Sequence, residues 1–94
     1  MNLNAVRCEA LFVSALQQSE RPSVRQVREA IVAAVRDFGS AGCAARVAQE
    51  FGDHPDTAVV RMGWARRMVA EVYAWDNAYE ERHLLVVRPY QAAS

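Results

Sequence analysis

Three groups of residues in this chain have the types and spacing for chemistry. Asp53, His54 and Asp56 fall within four positions, a set able to hold a metal ion or to move a proton. With Pro55 they also spell a helix start. Asp53 is a capping residue, Pro55 suits a first turn where its missing N–H costs nothing, and Asp56 sets negative charge at the positive end. Every member has a capping role, so the stretch is read as a helix start carrying a solvated histidine. Glu80 and His83 form the Glu-x-x-His element that di-iron bundles use twice, together with two further glutamates. The chain holds one copy. A symmetric dimer would supply the second, with Glu71 as an extra carboxylate, but Glu and His three apart arise by chance in many helices. Cys43, with His54 or His83 as base, is the third group. It lies on the apolar face of a short helix, where a thiol is inert.

Cys8 and Cys43 have no paired spacing for zinc or for a redox pair. Cys8 shares a helical face with Phe12 and Ala15, which marks a buried thiol. There is no Gly-rich phosphate loop, nucleophile elbow or zinc-protease signature. No catalytic residue, metal ligand or cofactor is assigned, and enzymatic activity is not expected.

The elements that position these residues follow from hydrophobic spacing. Residues 4–17 read as a first helix, with Ala5, Cys8, Phe12, Ala15 and Leu16 on one face and Leu11 and Val13 at its margins. Ser23 followed by Gln26 is a capping box that opens a second helix over 24–38. Val24, Val27, Ile31, Ala34, Val35 and Phe38 recur along it at steps of three and four, with Arg25, Arg28, Glu29 and Arg36 outside. Gly39 ends this helix. A third helix over 41–51 buries Ala44, Val47, Ala48 and Phe51, and Gly52 terminates it.

A fourth helix over 55–80 has no internal breaker. It would extend about 39 Å at 1.5 Å per residue, against roughly 32 Å for the whole of a compact chain this size. One stripe is Ala58, Met62, Ala65, Val69, Val72 and Tyr73. A second is Trp64, Met68, Trp75 and Tyr79, and Gly63, Ala70 and Ala74 line part of the remaining side. Beyond it, Leu84 to Tyr90 carries four consecutive aliphatics before Pro89, which favours an extended arm over 84–90. The fold class is all-α: a four-helix bundle or compact helical array, one domain over 1–94, with a long central C-terminal helix and a short extended arm.

Composition narrows the function classes. The chain has 94 residues, is 52% hydrophobic and 23% charged, and carries 11 basic against 11 acidic residues. That is a globular balance with no net charge, so nucleic acid is not an expected partner. All the basic residues are arginine, which reflects a GC-rich genome rather than a preference for guanidinium. No signal-peptide pattern opens the chain and no apolar run reaches the ~20 residues of a membrane span. A cytoplasmic location is expected.

These readings lead to a small cytoplasmic protein-interaction or regulatory module acting through self-association as a homodimer. Its expected interface is Trp64, Met68, Trp75, Tyr79, Leu84, Leu85 and Val87. Apolar surface of this extent marks interfaces, and Trp and Tyr dominate their energetics. The alternative is a DNA-binding regulator, because residues 41–67 resemble a helix-turn-helix in pattern, with Arg61, Arg66 and Arg67 as the cations along its second helix. Asp53 and Asp56 would repel phosphate at that helix's start.

Overall fold

The computed structural model describes residues 2–74. Three helices account for most of them. α1 spans Leu3–Val13, α2 spans Val24–Asp53 and α3 spans Pro55–Val72. The all-α class holds, and no strand occurs among the described residues. The four-helix bundle is not supported, because the described residues build three helices.

α1 is opened by Asn2, whose side-chain oxygen accepts the N–H of Ala5 at 3.1 Å. It closes four residues earlier than the expected Gln17. Ser14 turns extended, with φ −69° and ψ 168°, and its hydroxyl donates to the Leu11 carbonyl at 2.7 Å. A serine that bonds back to the preceding turn offers the chain an exit from the helix. A 3-10 turn at Gln18–Glu20 follows, and then Arg21, whose φ of 49° is left-handed.

Ser23 and Gln26 form the expected capping box at the start of α2, with reciprocal bonds of 2.8 and 3.2 Å. The expectation of separate helices over 24–38 and 41–51 is corrected. A single residue, Gly39, leaves helical geometry at φ 72° and ψ 166°, and the chain resumes the helix at once. The two arms of α2 therefore meet at Gly39 itself, with no four-residue connector between them. Cys43 ties the two arms together, its thiol donating to the Ala34 carbonyl at 3.7 Å across the kink.

α2 and α3 are joined by one non-helical residue, His54, at φ −139° and ψ 65°. Its N–H donates to the Glu50 carbonyl at 2.7 Å, and its own carbonyl accepts the N–H of Ala58 at 2.9 Å. Asp53 therefore completes the last turn of α2 and does not cap α3, contrary to expectation. Gly52 is likewise helical and does not end the element. Pro55 and Asp56 occupy the first turn of α3 as expected. Tyr73 departs from helical geometry at φ −109° and ψ 19°, and Ala74 is helical again. The 18 described residues of α3 extend about 27 Å. Residues 75–80 and the arm over 84–90 lie outside the described residues.

The core lies where the three helices meet. α1 contributes Ala10, Leu11 and Phe12; α2 contributes Val27, Ile31, Ala34, Cys43 and Val47; α3 contributes its whole first stripe. Phe12 stacks on Phe51 at 6.0 Å between ring centroids. Two expected core residues of α2 sit at the surface: Val24 is exposed, and Phe38 is 38% exposed beneath the guanidinium of Arg46. In α1 the face is rotated, so that Leu11 is fully buried while Ala5 is exposed, and Ala15, beyond the end of the helix, is exposed too. Ala48 is exposed as well.

Candidate interaction surface

α3 carries the residues on which the functional reading turns. Its first stripe, Ala58, Met62, Ala65, Val69, Val72 and Tyr73, is entirely buried. Trp64, expected at an interface, is 4% exposed and belongs to the core of its own subunit. Met68 is half-buried against that core. Both stripes of the described helix thus close largely within one subunit. Trp75, Tyr79, Leu84, Leu85 and Val87 lie outside the described residues.

Arg61 lies beside Trp64 and reaches the end of α1. Its Nε donates to the Phe12 carbonyl at 2.6 Å. Its Nη2 reaches the carbonyls of Ser14 at 2.9 Å, Leu16 at 3.0 Å and Leu11 at 3.4 Å. The guanidinium also lies 5.0 Å from the Trp64 ring centre and 5.9 Å from that of Phe12. One side chain thus satisfies the carbonyls freed at the end of α1 and sets a positive charge against the negative end of that helix. Burial pulls its pKa below the usual guanidinium range, and a guanidinium stays charged regardless. The spacing held a signal for this role. Ala58, Trp64, Ala65 and Met68 stand three, four and seven residues away, so Arg61 sits inside the apolar arc rather than on a solvated face.

Arg28 performs the same task at the end of α3, donating to the Val72 carbonyl at 3.3 Å. Its guanidinium and that of Arg7 approach the buried Tyr73 ring at 5.1 and 3.8 Å. Two of the three helix ends are thus closed by an arginine from another helix. Neither role was legible from composition, where the arginines looked interchangeable.

The residues singled out for chemistry do not converge. His54 Nδ1 stands 3.4 Å from Glu50 Oε2 at the exposed α2–α3 corner. No group of three potential metal ligands occurs among the described residues. Glu80 and His83 lie outside them. Cys8 is half-buried and Cys43 fully buried, and burial raises both thiol pKa values above the ordinary range, the setting of unreactive cysteines. In the segment resembling a helix-turn-helix, one residue joins the helices where that motif uses a turn of three or four. Arg61 is committed to α1, which leaves Arg66 and Arg67 as the exposed cations of α3.

What α3 does present outward is a face of small and aliphatic residues. Val59 and Val60 are 61% and 64% exposed, and Ala70 is exposed beside the half-buried Gly63. Asp56 stands at the start of this face, Arg66 at its side, and Arg67 within it between Gly63 and Ala70. No helix among the described residues is long and apolar enough to cross a membrane. Compared with protein-family models, with curated proteins and with solved structures, the chain gives no significant match.

Proposed function

We propose that the chain is a small cytoplasmic protein-interaction module that acts by self-association, as a homodimer. The observation that carries this reading is the outward face of α3, where Val59, Val60, Gly63 and Ala70 form an apolar strip with Asp56 at its start, Arg66 beside it and Arg67 within it. An apolar strip rimmed by charges is the usual character of an interface. The sequence beyond the described residues adds support, because Trp75, Tyr79, Leu84, Leu85 and Val87 are the types that interfaces favour. A two-fold pair buries such a face against its own copy, the commonest closed arrangement among oligomers.

Light scattering on the full chain at micromolar concentration tests the reading. A mass near twice 10.5 kDa is expected. A mass equal to that of one chain would overturn it.

A further inference from the structure

We propose that a second copy of this chain docks on α3 in an antiparallel register that sets Asp56 against Arg67 of the second copy and Val60 against its Gly63. The inference rests on the self-association reading and specifies its geometry.

Asp56, Val60, Gly63, Arg67 and Ala70 follow one another at steps of four, three, four and three. That is the spacing of a helix–helix seam, which keeps one line of side chains facing a partner. Every position on this line is exposed or half-buried in the subunit. The line begins with an acid, ends its central portion with a base, and holds a valine and a glycine between them. Neither Asp56 nor Arg67 has an ion pair among the described residues.

Charge decides the orientation. A parallel pair on this seam would set Asp56 against Asp56 and Arg67 against Arg67, and both contacts repel. The antiparallel pair converts them into two identical Asp56–Arg67 contacts, related by the two-fold axis of an isologous dimer. Shape agrees with charge in the same register. Val60, 64% exposed, falls opposite Gly63, which has no side chain to keep the second helix away. In the single subunit, Arg67 Nη1 lies 3.5 Å from where a Cβ on Gly63 would stand. Turning that flexible head toward the second copy's Asp56 uncovers Gly63 for the valine.

The experiment uses Asp56→Arg and Arg67→Asp in the full chain, with association followed by sedimentation or light scattering. Each variant alone replaces two attractive contacts by two repulsive ones, and about tenfold weaker dimerisation is expected. An equimolar mixture of the two variants should recover near-native association, because both contacts in the mixed dimer are again Arg–Asp. Restored folding cannot mimic this recovery, since each chain keeps its own substitution. Gly63→Leu is the second probe. It raises helix propensity, so the fold survives, yet it should abolish the pairing by filling the Val60 site.

A dimer that is unaffected by the single reversals, no stronger in the mixture than in either variant alone, or indifferent to Gly63→Leu would overturn the register while leaving self-association standing. An unmodified chain that is monomeric would overturn both.

Discussion

The Nε of Arg61 donates to the carbonyl oxygen of Phe12 at 2.6 Å, joining α3 to the end of α1. With three further carbonyls on Nη2, this side chain holds the position that a C-terminal cap would otherwise take. Arg61→Ala leaves part-buried carbonyls unpaired and removes packing against Phe12 and Trp64. A loss of about 2–4 kcal/mol in urea denaturation is expected, in the range for charged hydrogen bonds plus abandoned acceptors. Arg61→Lys should recover less than half of it, because an ammonium cannot span four carbonyls as the planar fork does.

Gly39 has the backbone that only glycine adopts cheaply, at φ 72° and ψ 166°. A Cβ built there meets nothing within 4 Å, so any cost of Gly39→Ala is conformational and not steric. The expected destabilisation is about 1–3 kcal/mol. Gly52 is the control, since it is helical and equally open. Gly52→Ala should stabilise by roughly 0.5–1 kcal/mol, and thermal melts of the two variants should shift in opposite directions.

The kink also shows what the sequence discloses and what it conceals. Gly39 was legible as a break, because a left-handed glycine is the cheapest way out of a helix. How far the chain departs after the break is set by tertiary contacts, here Cys43 reaching back to Ala34, and local spacing holds no record of those. The first stripe of α3 was read correctly because a buried stripe leaves a period of 3.6 in the apolar residues. Trp64, read as part of a second stripe facing a partner, is buried in its own subunit, beside the Arg61 guanidinium that reaches the remote end of α1. The proposed pairing of Asp56 with Arg67 of a second copy has the same character. Neither residue departs from an ordinary solvated face until the helix is seen to expose them in one line with Val60 and Gly63.

Ile31 and Val32 are adjacent on α2 and about 100° apart around it, the first buried and the second 62% exposed. Ile31→Ala should cost roughly 2–5 kcal/mol, as for other large-to-small changes in a core. Val32→Ala should stay within about 0.5 kcal/mol. Equal losses at the two positions in urea titrations would mean that the face of α2 is wrongly assigned.

Helix starts differ in the same measurable way. Ser23 accepts the N–H of Gln26, so Ser23→Ala should cost about 1 kcal/mol. Asp53 sits in the last turn of α2 and caps nothing, so Asp53→Ala should be near neutral. A carboxylate at the negative end of a helix is, if anything, unfavourable there. Guanidinium unfolding of the two variants separates the outcomes. A substantial loss at Asp53 would return the capping role to that residue.

Cys8 and Cys43 give the chain a pH dependence on the alkaline side. Burial is the main cause that lifts each thiol above its ordinary 9.0. Glu9 adds to the effect in both, while Arg66 opposes it at Cys8 and Arg46 at Cys43. A thiol with a higher pKa in the folded chain than in the unfolded one favours the fold while it remains protonated. That contribution is complete below about pH 9 and is lost as the pH rises through the folded-state value. With no lysine in the sequence, ammonium side chains do not titrate in the same window. Stability from urea midpoints should therefore hold level from pH 7 to about 9 and decline above it. The double variant Cys8→Ala, Cys43→Ala should flatten the decline. Thiol labelling of the native chain at pH 8 should be slow at Cys43, whose sulfur is fully buried, and fast once urea unfolds it. Rapid labelling of Cys43 without denaturant would show that the two arms of α2 separate readily at Gly39.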